Sequence, residues 1–113
     1  WNTVFNSVKK TGKILVLDTG ITTGSVAAEI IAKISIEKFN YMKKPPVRLA
    51  MPDIPEPTSP ALTKNLYVTS IEIIDSVLKI LNKKSNINKI KLKKALNYPK
   101  HHDIPDQNFK GSF

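Results

Sequence analysis

Between residues 13 and 62 the rhythm of apolar and polar positions changes repeatedly, and each change predicts an element. Ile14, Leu15, Val16 and Leu17 form an unbroken apolar run. It is too short for a helix and too apolar for an exposed loop, so it predicts a strand buried on both faces, as in parallel sheets. Gly20 and Gly24 punctuate the turn that follows. Over residues 25–39, Val26, Ile30, Ile31 and Ile34 share one face at helical spacing, while Glu29, Lys33 and Glu37 stand four apart on another. That pattern predicts an amphipathic helix with one packed and one solvated face. Lys43-Lys44-Pro45-Pro46 cannot continue a helix. Val47-Arg48-Leu49-Ala50-Met51 then reads as a second strand ending at Pro52. Strand, helix and strand in immediate succession form one β-α-β unit. Pro52, Pro55, Pro57 and Pro60 make an extended, stiffened loop after it.

The flanks are helical. Val4, Phe5 and Val8 recur at helical spacing, with Asn2 as the expected cap, Lys9 and Lys10 at the carboxyl end and Gly12 as the stop. Thr69 and Glu72 have capping-box spacing, and Ile71, Ile74, Leu78 and Leu81 follow on one stripe, predicting a helix over 68–81. Ile90, Leu92 and Leu96 predict one more short helix with a lysine-rich outer face. Residues 98–113, with Pro99, Pro105 and Gly111, read as an irregular segment ordered only where it docks. Val26, Ile30, Ile34, Ile71, Ile74 and Leu78 are the expected packing residues.

A chain of 113 residues fits one small domain. The absence of cysteine excludes disulfides and thiolate metal sites and is compatible with a reducing compartment, so a cytoplasmic location is expected. No apolar stretch is long enough to cross a bilayer, and the start lacks the regions of a signal peptide. The formal net charge is +9. Its distribution matters more than its size: residues 1–82 hold ten Lys and Arg against seven Asp and Glu, whereas residues 83–113 hold eight against two. The chain therefore divides into a folded part, 1–82, and a basic extension, 83–113, of loosely packed composition.

Candidate chemistry is sparse. Asp18 follows the first strand and Asp53 the second, both at carboxyl ends of strands, where parallel sheets place ligands. A general acid or base needs a partner and a pocket, and none is visible, so hydrogen bonding to loop amides is the favoured role for both. The turn from Gly20 through Gly24 to Ser25 lies where free amides can hold an anion. It lacks the Gly-Lys-Ser/Thr ending of a P-loop and the dinucleotide spacing, which favours a tight turn bringing helix to sheet. His101-His102-Asp103 is a weak metal signal without Cys or a nearby Glu. Lys89, Lys91, Lys93, Lys94 and Lys100 are a candidate phosphate-binding set, with only Tyr98 nearby for base stacking. A solvated extension or a contact with an acidic partner suits them better. No residue is assigned to catalysis, cofactor binding or metal binding.

Asp18-Thr19-Gly20, Gly24-Ser25-Val26-Ala27-Ala28-Glu29-Ile30, Pro46-Val47-Arg48, Pro52-Asp53-Ile54-Pro55 and Ser59-Pro60-Ala61-Leu62 occur in that order. In this combination, over residues 4–81, the chain resembles the C-terminal transketolase-like domain of the 2-oxoacid dehydrogenase (pyruvate dehydrogenase-type) E1 component beta subunit. The resemblance implies an α/β fold of three αβα layers around a mostly parallel sheet. Because such domains begin with further elements, it also implies that the first strands lie upstream of Trp1. Transketolase, deoxyxylulose-phosphate synthase and the branched-chain and acetoin dehydrogenases share that domain, and Pro-Asp-Ile-Pro favours the E1 beta branch.

The resemblance implies a thiamine diphosphate- and magnesium-dependent enzyme that decarboxylates a 2-oxoacid and passes the acyl group to lipoyl-E2. The cofactor is bound by the alpha subunit and the beta subunit's N-terminal domain, so this stretch is expected to bind none and to be non-catalytic by itself. Its implied partners are the E1 alpha subunit and a second beta subunit, with the E2 acyltransferase as a further candidate. Lys43, Lys44 and Asp53 are the candidate docking residues. Many family members carry an acidic residue where Lys43 and Lys44 stand; the reversed sign puts docking to a basic E2 domain in doubt, and a solvated turn explains the lysines equally. An independent basic module, whose Lys-rich tail contacts nucleic acid or an acidic partner, is the second functional reading. It predicts steep salt dependence and loss of binding without residues 83–113.

Overall fold

The computed structural model describes residues 1–63, 66–84 and 87–95. They form α1 (Asn2–Thr11), β1 (Leu15–Ile21), α2 (Val26–Glu37), a 3-10 turn (Phe39–Tyr41), β2 (Val47–Met51), the single-turn α3 (Pro60–Thr63), α4 (Ser70–Ile80) and α5 (Lys89–Ala95). The β-α-β unit is present as predicted. β1 and β2 pair in parallel, with Leu15 opposite Val47, Val16 opposite Arg48 and Leu17 opposite Leu49. The fold is α/β, helices packed with a small parallel sheet, which among the described residues has two strands.

Strand alternation puts Leu15 and Leu17 on one face with Val47 and Leu49, and Val16 and Asp18 on the other. α2 covers the Val16 face, since its second residue, Ala27, donates its amide hydrogen to Asp18. Val16, Ala27 and Ile34 are buried there, Ile34 completely. Leu17, expected to be buried, is 49% exposed. It points to the opposite face, where α4 lies beside β2: Val47 lines a depression with Lys79 and Ile80 of that helix. Val26, expected to pack, is 73% exposed. The buried stripe of α2 runs through Ala27, Ile30, Ile31 and Ile34, the i, i+3, i+4, i+7 series, and Val26 falls one residue out of phase with it. Ile30, Ile71, Ile74 and Leu78 are half-buried.

β1 extends further than its apolar run. Ile21 pairs with Met51, so Asp18, Thr19 and Gly20 stand opposite the single residue Ala50 in a bulge. Gly20, expected in the turn, therefore lies within the strand. The bulge consumes polar residues that periodicity assigns to a loop, because the Asp18 side chain folds back to accept the Gly20 amide hydrogen at 2.9 Å.

α1 is bound to α2 through rings and ammonium groups. Trp1 stacks on Phe5 at 5.5 Å, Lys33 Nζ lies 5.0 Å from the Trp1 ring centre, and Lys38 Nζ lies 4.4 Å from that of Phe5. The polar face of α2 is thus partly a packing face as well. Lys33 also pairs with Glu37 at 2.7 Å, and this hydrogen bond holds the Glu37 carboxyl below its ordinary range. Asn2, the expected cap of α1, is instead its first helical residue, preceded by Trp1 without a side-chain cap. Val8 is buried, and Gly12 ends the helix at φ 67° as the sequence indicates. A Cβ at Gly12 would meet the Lys43 side chain at 2.6 Å and the Tyr41 carbonyl oxygen at 2.9 Å. The Gly12 carbonyl accepts the Lys43 amide hydrogen at 2.7 Å, joining the end of α1 to the chain entering β2.

α4 carries the predicted capping box: Thr69 Oγ1 accepts from the Glu72 amide, and the Glu72 carboxylate accepts from the Thr69 amide. Its other end closes in a Schellman arrangement not foreseen from the sequence. The Asn82 amide donates to Lys79 O and the Lys83 amide to Leu78 O, with Asn82 at φ 54°. α5 follows, with Lys89 paired to Asp75 of α4 at 2.6 Å. His101, His102 and residues 96–113 of the expected basic extension lie outside the described residues.

The phase of α2 has a direct test in urea denaturation. Ile34→Ala is expected to cost about 2–5 kcal/mol, because it opens a cavity at a completely buried position. Val26→Ala is expected to change stability by less than about 0.5 kcal/mol. Equal costs would mean that both residues pack. At Gly12, Ala is expected to cost about 1–2 kcal/mol through the left-handed conformation alone, with the Tyr41 carbonyl contact adding to it.

Candidate functional site

The carboxyl edge of the sheet gathers Asp18, Gly20, Gly24, Ser25 and Asp53 from among the residues that sequence reasoning singled out. Asp18 closes the junction of β1 and α2. Its Oδ1 accepts the Gly20 amide hydrogen and its Oδ2 accepts that of Ala27 at 3.0 Å, while Ser25 Oγ accepts that of Ala28 at 3.2 Å. The first turn of a helix has amides with no partner in the helix itself, and a carboxylate is the favoured occupant at that positive end. The Gly20 and Ala27 amides hold the Asp18 carboxyl below its ordinary value.

The second clamp joins this turn to the loop after β2. Thr23 donates its amide hydrogen to Asp53 Oδ1 at 2.6 Å and its hydroxyl to Asp53 Oδ2 at 2.5 Å. Thr22 donates its hydroxyl to the Met51 carbonyl at 2.7 Å. Asp53 is also held below its ordinary value, by the Thr23 hydroxyl first, then the Thr23 amide, with Arg48 adding electrostatic attraction. Gly24, at φ 70°, supplies the left-handed residue that the turn requires. Farther along, the Tyr67 hydroxyl donates to the Glu56 carboxylate, fastening the proline-rich loop to the segment before α4.

Beside these clamps lies an open depression of about 720 Å³, lined by Ile21, Met51, Ile54 and Pro55 with Thr23, Asp53 and Glu56 at its margin. Ile21 and Ile54 are 45% and 51% exposed. The surface is apolar and shallow, with its two polar clamps already satisfied. Among the described residues no three His, Cys, Asp or Glu side chains gather as metal ligands would. The helix amides that could hold a diphosphate already bond to Asp18 and Ser25, and an anion placed there would face the Asp18 carboxylate.

The structure brings Gly20, Gly24, Ser25 and Asp53 to one edge. Lys43 and Lys44 lie away from it, between the 3-10 turn and β2, near the end of α1. Sequence reasoning missed Thr22 and Thr23 as the hydroxyl partners across the turn, and Tyr67 and Glu56 as the loop fastening. The two adjacent threonines between glycines were the available signal for the first pair. Nothing local marks the second.

A strand-helix-strand unit with parallel pairing and clamped carboxyl-edge loops defines an α/β sheet domain. The chain belongs to the transketolase C-terminal domain family, whose model matches residues 1–73. It is 33% identical over 84 residues to the pyruvate dehydrogenase E1 component subunit beta of Cyanidium caldarium, covering 74% of this chain and 26% of that subunit. The same subunit of Porphyra purpurea is 36% identical over 81 residues, covering 72% and 24%. That of Mycoplasma genitalium is 39% identical over 79 residues, covering 70% and 24%. The beta-subunit resemblance carried by the motifs agrees with these relatives. The chain spans about a quarter of the length of the relatives it matches. No helix among the described residues is long and apolar enough to cross a membrane.

The Asp53 clamp predicts an acid dependence of defined sign. A carboxyl whose folded value lies below its ordinary 3.8 contributes stability that is full above 3.8 and is lost as pH falls through the lowered folded value. Asp53→Asn is therefore expected to lower the thermal midpoint at neutral pH and to flatten its fall in acid, measured by circular dichroism melts from pH 7 to 2. An unchanged acid limb would show that the clamp carries no linkage.

Proposed function

We propose that residues 1–82 serve as the assembly domain of an E1 beta subunit in a thiamine diphosphate-dependent 2-oxoacid dehydrogenase, and that the catalytic groups belong to other parts of that enzyme. The observation carrying this reading is the chemistry of the carboxyl edge: a well-fastened pair of loops beside an apolar surface, with both of its strand-end carboxylates, Asp18 and Asp53, held in structural bonds. Asp18 and Asp53 spend their lone pairs on amides and hydroxyls. Such an edge fixes the shape of a surface and does no proton transfer. The turn at Gly24 and Ser25, which follows the bulged end of β1 at Gly20, acts as a tight connection from strand to helix.

On this reading thiamine diphosphate and magnesium are bound elsewhere in the intact enzyme, by the E1 alpha subunit and another domain of the beta subunit. The partners that meet this domain are the alpha subunit and a second beta subunit. Ile21 and Ile54, half exposed on a rigid edge, are suited to become buried in such a contact. The positive charge at Lys43 and Lys44 disfavours docking to a basic E2 domain. Residues 83–113 act as a basic extension rather than as part of the domain. Cytoplasmic assembly is consistent with a chain that has no cysteine.

The test is double substitution of Ile21 and Ile54 by Arg in the subunit as expressed in its own cells, followed by affinity purification. Charged side chains at a contact centre are expected to abolish recovery of the second type of chain, at low and high salt alike, while the far-ultraviolet circular dichroism stays that of the parent. Recovery of the same partners in the same proportion would remove this edge from the assembly surface.

A further inference from the structure

Two stretches of chain that meet at the opposite end of β2 carry no carboxylate at all. Residues 38–52 hold Lys38, Lys43, Lys44 and Arg48, and residues 76–84 hold Lys79, Lys83 and Lys84. Between them lies a depression of about 430 Å³ with Lys44 and Lys79 on its rim, Pro45, Val47 and Ile80 as its apolar lining and Asn82 at one end. Neither Lys44 nor Lys79 makes an ion pair among the described residues. The acidic side chains of α4 are engaged elsewhere, Asp75 with Lys89 and Glu72 in the capping box. The carbonyl end of α4 opposes an anion only weakly, because Leu78 O and Lys79 O already accept hydrogen bonds from Lys83 and Asn82.

We infer that this groove docks an acidic peptide segment of a partner protein, with an apolar side chain seated against Val47 and Ile80 and flanking carboxylates paired to Lys44 and Lys79. Charge complementarity selects the occupant: a concave apolar floor between unpaired ammonium groups matches acidic residues around an aliphatic one. The form of the groove disfavours nucleic acid, since no aromatic ring lines it for base stacking. The inference does not rest on the assembly reading, because the groove and the carboxyl edge are lined by different residues.

The experiment is fluorescence anisotropy of the full chain with a labelled peptide of two Gly-Glu-Glu-Leu-Glu-Glu repeats, and with its Gln counterpart. Saturable binding of the Glu peptide is expected, absent for the Gln peptide and weakening with salt. Lys44→Glu with Lys79→Glu should weaken it about tenfold or more, whereas Lys91→Glu with Lys94→Glu, an equal change of net charge on exposed positions of α5, should alter it by less than about twofold. Lys44→Gln with Lys79→Gln, checked by circular dichroism, separates lost binding from lost folding. Equal loss in the two Glu pairs, binding of the Gln peptide, or no binding would overturn the inference. So would tighter binding of a single-stranded oligonucleotide, or a gain in peptide affinity on Asp103→Asn with Asp106→Asn, which would make the chain's own tail the occupant.

Discussion

The Asp18 carboxylate fixes the relation on which the rest of the chain depends. One oxygen holds the amide of Gly20 inside the bulge of β1, and the other holds the amide of Ala27 in the first turn of α2. Strand and helix are therefore set at one angle by a single side chain. That angle places Ala27 and Ile34 over Val16 and leaves Val26 in solvent. The helix start is an obligatory cluster of amides in need of acceptors, and Asp18 with Ser25 meets that need from within the chain. Asp53 extends the same principle across the sheet edge, using Thr23 in place of a helix terminus.

The strength of local signals decided what could be read from sequence. Both strands, the two principal helices, the Gly12 stop and the Thr69–Glu72 box depend on neighbours in sequence, and each was legible. The bulge was not, because it is defined by the pairing of Ile21 with Met51 on the other strand, thirty residues away. Apolar periodicity also left the phase of α2 ambiguous: Val26 and Ala27 both suit the stripe by hydropathy, and only the position of the sheet selects Ala27. Leu17 illustrates a different gap. Its apolar character marks it for burial, yet whether anything covers it is a property of neighbouring elements. The carboxyl-edge residues were legible as a group, while the threonine hydroxyls that complete their bonding depend on distant pairings.

The distribution of free and satisfied groups separates two faces of the molecule. At the carboxyl edge the polar groups are bonded and the apolar ones, Ile21 and Ile54, are half exposed. At the opposite end of β2 the ammonium groups of Lys44 and Lys79 have no ion-pair partner among the described residues and flank an apolar floor. The first arrangement suits contact with a large, shape-matched surface; the second suits a short segment recognised by charge. The first lies wholly within residues 1–73, which match the transketolase C-terminal domain family, whereas Lys79 and Ile80 of the second lie beyond them.

The central claim is that this domain is an assembling, non-catalytic part of a larger E1 beta subunit. Native mass spectrometry of the protein purified gently from its own cells addresses it directly. The account predicts a subunit much heavier than 12.6 kDa, held with a second type of chain and retaining thiamine diphosphate. A lone species at 12.6 kDa, free of other chains, would contradict it.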